Sequence, residues 1–191
     1  MGDPKKQRKK YETPRHPWRR DQLDAELGLM GEYGLRNKRE LWRYKTMLSE
    51  MRGIARSLLA KSGPEREKSE RDFLMRLRRM GLAGETTSVD DTLDLQIRNL
   101  LERRLQTVVF RGGLAGSPSQ ARQLITHGHI SVGGHVVSVP GYLVPKEDEE
   151  RVRYAAESAL AKSDHPARKA LTKESAAEPS PRGPAPRRGA A

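Results

Sequence analysis

LERRLQTVVFRGGLAGSPSQARQLITHGHISVGGHVVSVPGYLV, residues 101 to 144, decides the fold. Leu93, Ile97, Leu100, Leu101, Leu105 and Val108 recur at three- and four-residue steps, so the spacing predicts one amphipathic helix leading into this stretch. Ser117 is placed to cap a second helix, Pro118 suits its first position, and Gln120 completes a capping box with Ser117. In that helix Ala121, Leu124 and Ile125 face inward and Arg122, Gln123 and Thr126 outward, and Gly128 ends it because glycine tolerates the left-handed conformation. Ile130 and Val132 alternate with Ser131, and Val137 and Val139 with Ser138, around Gly133-Gly134, which predicts a β-hairpin. Arg103, Arg104, Arg111, Arg122, Gln123, His127 and His129 are spaced to converge on one side. Together with the positive end of the second helix they form a platform for phosphate.

The rest of the chain agrees with a polyanionic partner. Its 191 residues carry a net charge of +12 and a pI near 10.2, a balance that favours nucleic acid over a metabolite. Only 35% of residues are apolar and 5% aromatic, so one large core is not expected and a bound partner should add stability. The absence of cysteine excludes disulfides and thiolate metal sites. No apolar run approaches the roughly 20 residues that cross a bilayer, and the first residues lack the apolar region of a secretion signal. A cytoplasmic protein without membrane contact is expected.

Residues 1–22 read as a basic arm in which eight Lys or Arg among the first twenty residues oppose Asp3 and Glu12. Such a segment does not fold alone. Lys9, Lys10, Tyr11, Arg15, His16, Trp18 and Arg19 are its candidate RNA contacts, since rings interleaved with cations offer stacking surfaces. Residues 23–92 predict a helical block with a linker. A short helix breaks near Gly31 and Gly34. A longer one, capped by Asn37 with Glu40 three residues on, carries the stripe Leu41, Tyr44, Leu48, Met51, Ala55 and Leu58 to about Ser62. A third helix, roughly 65–80, places Phe73, Leu77 and Met80 on one face and Gly81 closes it, after which 82–92 form the linker. Residues 93–155 hold the two helices, the hairpin, an acidic turn at Lys146–Glu150 and a last short strand at Val152–Tyr154. Residues 156–191 are low in complexity and expected to be disordered. The fold class is therefore α+β: a mainly helical N-terminal block plus a small two-helix and β-hairpin RNA-binding domain, with disordered basic termini.

The run Leu101-Glu-Arg-Arg-Leu105, then Val109-Phe-Arg111, Gln120-Ala-Arg-Gln-Leu124 and His127-Gly-His-Ile-Ser-Val132 resembles the S-four-type RNA-binding domain. The N-terminal block adds a second resemblance. Gly2-Asp-Pro-Lys5, Tyr11-Glu12, Pro14, His16-Pro-Trp18 and Tyr33-Gly-Leu-Arg-Asn-Lys-Arg-Glu-Leu-Trp42 are similar to the archaeal and eukaryotic branch of the family of small-subunit ribosomal protein number four. The resemblance covers most of residues 1–155. It implies a primary binder of 16S-type ribosomal RNA in the body of the small ribosomal subunit, added early in assembly, near the messenger entry path and with an influence on decoding accuracy. It also implies small-subunit protein number five as a neighbour, and no homo-oligomer. The RNA-facing positions it assigns are Arg103, Arg104, Arg111, Arg122, Gln123, His127 and His129. Arg104→Ala and Arg122→Ala are accordingly expected to weaken RNA binding with little change in melting temperature. Two departures stand out: Pro145 is followed by Lys146 and acids where the family commonly has Pro-Gly-Asp, and the zinc knuckle of some members lacks its cysteines here.

Other classes fit less well. An RNA-modifying enzyme such as a pseudouridine synthase, or a heat-shock-type RNA chaperone, uses the same domain, and a duplex-DNA binder also presents helices with arginines. An enzyme needs a preorganised nucleophile or base, but Asp90, Asp91 and Asp94 sit where helix capping explains them. His127, His129 and nearby Asp148 suit a metal less well than an RNA-facing pair. No catalytic residue, metal or cofactor is expected.

Overall fold

A computed structural model describes residues 9–162 together with His165 and Arg168. The start of the predicted arm and nearly all of the predicted disordered tail lie outside the described residues.

Helix α1 (Arg20–Glu32) begins earlier than its apolar pattern suggests and runs through Gly28 and Gly31, which face open space. Gly34, at φ +58°, turns the chain into α2 (Lys38–Leu59). There the Asn37 side chain accepts the Glu40 N–H at 3.1 Å, which fixes the predicted start. The buried residues of α2 are the predicted six, Leu41, Tyr44, Leu48, Met51, Ala55 and Leu58. The helix ends at Leu59, before the expected Ser62. Pro64 opens α3 (Pro64–Arg79), with Glu65 and Glu67 in the first turn and Arg76, Arg78 and Arg79 in the last, each sign favoured by the helix dipole. Residues 82–92 are not a free linker. Val89 and Thr92 are buried, Asp90–Asp94 forms a 3-10 turn packed on α2, and Arg78 donates to the carbonyls of Gly84 and Glu85.

The single helix expected from Leu93 to Val108 is two: α4 (Ile97–Glu102) and α5 (Leu105–Arg111). Arg104 between them is extended, at φ −70° and ψ 134°. The break gains strand-like bonds in exchange for helical ones. Leu105 N–H donates to the Tyr142 carbonyl at 2.7 Å and Val144 N–H to that of Arg103 at 2.9 Å. Its cause is that the apolar stripe serves two cores. Leu100 and Leu101 pack with α2, α3, Tyr33 and Val89, whereas Leu105 and Val109 pack with Ala121, Ile125, Ile130 and Val144. The change of core therefore falls at Arg103–Arg104, ten residues beyond the boundary expected after residue 92.

Helix α6 (Pro118–Thr126) starts as predicted, with the Ser117 hydroxyl accepting the Gln120 N–H at 3.1 Å. The capping box is shifted by one residue, because Gln120 Oε1 accepts from the Gly116 N–H and not from that of Ser117. Gly128 follows α6 at φ +75°. Strands β1 (Ile130–Val132), β2 (His135–Val136) and β3 (Val152–Tyr154) form an antiparallel sheet in the order β2-β1-β3. Gly133 and Gly134, at φ +59° and +90°, supply the two positive φ angles that the tight hairpin needs. The second strand is shorter than its alternating pattern implies: after Val137 N–H bonds to the Ile130 carbonyl, the chain turns away toward α5. The acidic segment is a 3-10 turn over Lys146–Arg151, and it leads into β3 with Ser131 opposite Arg153. The tail is ordered at its beginning, where Leu160 packs on the second core.

Candidate nucleic-acid interface

The cap of α2 holds Glu40 in the first turn, where its carboxylate meets two arginines from the other half of the chain. Arg122 Nη2 donates to Glu40 Oε1 at 2.7 Å and Nη1 to Oε2 at 3.1 Å, a bidentate pair, and Arg104 Nη2 reaches Oε2 at 2.7 Å. Burial by itself would raise the Glu40 pKa. The Arg122 hydrogen bonds and the Arg104 charge outweigh it and hold the carboxyl below its ordinary value. Arg104, with only 2% of its surface exposed, also donates to Gln106 Oε1 and to the Tyr44 hydroxyl, which in turn donates to the Gly141 carbonyl at 3.2 Å. Gln106, fully buried, uses its amide to bridge the carbonyls of Gly34 and Pro118 at 2.9 and 2.8 Å. This network joins the two cores.

The expected convergence of arginines is thus corrected. Arg104 faces inward and its guanidinium is already paired, because a buried guanidinium needs a counter-charge and Glu40 supplies it. Arg103 also turns in, donating to Glu149 Oε2 at 2.6 Å and to the Val144 carbonyl at 2.9 Å. Arg111 is exposed but pairs with Glu102, which accepts the Tyr33 hydroxyl as well. Three neighbouring arginines therefore go to three different carboxylates. Arg122 remains partly exposed at the rim, at 24% of its side chain, Gln123 is exposed on the outer face of α6, and His127 is exposed at its C-terminal end. The His127 and His129 rings lie nearly parallel with centroids 6.3 Å apart, and His129 Nδ1 sits 2.9 Å from the Ser158 hydroxyl.

Exposed cations that the sequence reading did not select lie beside this rim. Arg36, Arg39 and Arg43 are exposed and make no hydrogen bond or ion pair with the described residues. Arg43 lines a cleft of about 320 Å³ together with Arg122, Tyr44, Val139, Pro140, Gly141 and the Glu40–Arg104 pair. Their signal was the basic stretch Arg36–Arg43, which reads equally well as a solvated helix face.

The arm is partly fixed. Tyr11 packs on Trp42 with ring centroids 6.0 Å apart, and the Glu12 N–H donates to the Thr46 hydroxyl at 2.9 Å. That contact takes up part of the surface Tyr11 was expected to offer RNA. Lys9, Lys10, Arg15, His16, Trp18 and Arg19 are exposed. Beneath the arm lies Glu26, buried and unforeseen, accepting from Lys45, Gln22 and Trp42. Burial pushes its pKa up, but these donors and the Lys45 charge bring it below the ordinary value. Among the described residues there is no cluster of three metal-ligating side chains, and no helix is long and apolar enough to cross a membrane.

A short helix pair backed by a small antiparallel sheet, with polar and cationic groups on the outer helix, defines the class of proteins carrying an S4 domain, and residues 103–150 match the model of that domain. The chain is 54% identical over 155 residues to small ribosomal subunit protein uS4 of Ignicoccus hospitalis, covering 81% of this chain and 93% of the relative. It is 51% identical over 162 residues to uS4 of Hyperthermus butylicus, covering 85% and 92%. With uS4 of Thermoplasma acidophilum the identity is 48% over 174 residues, covering 90% and 87%. The chain belongs to the uS4 family of small ribosomal subunit proteins.

Proposed function

We propose that this protein is a structural constituent of the small ribosomal subunit that binds its 16S-type ribosomal RNA and acts without catalysis. The interface is the outer face of α6, with Arg122, Gln123 and His127, continued by Arg36, Arg39 and Arg43 at the start of α2. Arg111, His129 and the arm residues Lys9, Lys10, Arg15, His16, Trp18 and Arg19 extend it. Arg103 and Arg104 support this surface from within.

One observation carries the reading: the inward arginines are spent on carboxylates, while the exposed ones at the start of α2 have no ion pair among the described residues. A phosphate can meet Arg36, Arg39 or Arg43 without first breaking an internal bond. Each such contact releases condensed counterion, so affinity falls steeply with salt. Recognition then rests on the backbone and shape of folded RNA, and not on a base sequence read in a groove.

On the ground of the family resemblance we further propose roles in organising the body of the subunit during assembly and in decoding accuracy, with small-subunit protein number five as a neighbour and the cytoplasmic ribosome as the site of action. Sedimentation with small subunits through high-salt gradients tests this. Retention is expected, and release at salt concentrations that leave the subunit intact would overturn it. Displacement of a structured ribosomal RNA fragment by an equal concentration of duplex DNA would overturn it as well.

A further inference from the structure

We infer that Trp18 is a stacking platform for one unpaired RNA base, with Arg15 and Arg19 gripping the phosphates on either side. This rests on the RNA-binding reading and assigns a nucleotide-binding point outside the S4 domain. The indole is 86% exposed, the most open of the large apolar side chains among the described residues. It is also held in place. Upstream, Tyr11 and Glu12 fasten the arm to α2; downstream, the Arg19 N–H bonds to the His16 carbonyl and the Leu23 N–H to that of Arg19, which starts α1.

Trp18 precedes the residue that caps α1, and a bulky apolar group there ordinarily folds back onto the fourth residue of the helix, here Leu23. It does not do so, and a large ring stays in water. The surroundings indicate what covers it. A shallow depression of about 550 Å³ is lined by Arg15, His16, Pro17, Trp18 and Arg19, with no carboxylate. A flat apolar face between cations complements a nucleotide, which offers a π-face and a phosphate together. Bases in a duplex hide their faces, so the base bound here is unpaired.

The full chain is titrated with single-stranded oligo(A) and, separately, with small-subunit ribosomal RNA, following tryptophan emission and filter retention. Subtracting the signal of Trp18→Phe, which keeps only Trp42, isolates Trp18. Oligo(A) is expected to quench Trp18 emission, Trp18→Ala to weaken its binding about five- to a hundredfold, and Trp18→Phe to restore most of it. Melting temperature should not move, because the ring packs on little. Trp18 emission unchanged while the ribosomal RNA is retained would overturn this inference and leave the RNA-binding reading standing. Failure of the wild-type chain to retain ribosomal RNA would refute both. A blue shift with phosphatidylserine vesicles and none with oligo(A) would also overturn it.

Discussion

Replacing Glu40 by Gln keeps the size of the side chain and removes the one charge lying between Arg104 and Arg122. Arg104, 2% exposed, cannot return to water, whereas Arg122 can. Removing one partner of a buried ion pair costs about 3–5 kcal/mol. Here Glu40 keeps 16% of its side-chain exposure, and Arg104 retains Gln106 and Tyr44. Those features reduce the cost to about 2–4 kcal/mol. At about 2–4 °C per kcal/mol for a chain of this length, the melting temperature falls by about 5–15 °C. Arg122→Ala, at the rim, costs about 1 kcal/mol. The joint change Glu40→Leu with Arg104→Met removes the buried charges together but leaves the buried Gln106 Oε1 without its donors, so it recovers only part of the loss. Thermal and urea unfolding of the RNA-free protein measure all of these. A Glu40→Gln melting temperature within about 2 °C of wild type would refute the latch. So would an Arg104→Ala variant that loses RNA affinity at undiminished stability, the outcome the sequence alone leads one to expect.

Acid should act through the same carboxylates. Glu26 and Glu40 have folded pKa values below the ordinary 4.5, so the stability they confer is present above that value and is lost as pH falls through the lower folded values. Urea midpoints are expected to hold steady down to about pH 5 and then decline, less steeply in Glu40→Gln; equal slopes would exclude Glu40 as a source. Gly34→Ala should cost about 1–3 kcal/mol, because φ is +58° and a Cβ would stand 2.6 Å from that of Pro118. Gly113→Ala, at φ +69° with open space around it, should cost about 1 kcal/mol. Equal losses in urea unfolding would mean the close approach between the α1–α2 turn and the start of α6 is not a constraint. Arg39→Ala and Arg43→Ala should each reduce the salt slope of ribosomal RNA binding by about 1 with unchanged melting temperature. An unaltered slope would remove that residue from the interface.

Local elements were legible in the sequence because their causes are local. Asn37 and Ser117 satisfy N–H groups three residues away, Gly128, Gly133 and Gly134 adopt positive φ whatever surrounds them, and the stripe of α2 repeats with the helix itself. The basic balance likewise indicated a polyanion before any fold was known. The break at Arg104 was not legible. Leu93 to Val108 keep helical spacing across it, and only the pairing of Arg103 and Leu105 with the distant segment Tyr142–Val144 favours an extended residue there. Nor could spacing tell a phosphate-binding arginine from a structural one, since both are written Arg. That distinction depends on which carboxylate lies within reach, and Glu40 stands 64 positions before Arg104 and 82 before Arg122. Sequence by itself determined α2, α3, α6, the glycine turns and the kind of partner, but not the division between α4 and α5. Tertiary packing decided which cations remain exposed, because folding brings the guanidinium groups of Arg103 and Arg104 to carboxylates distant in the chain and leaves Arg36, Arg39 and Arg43 without one among the described residues.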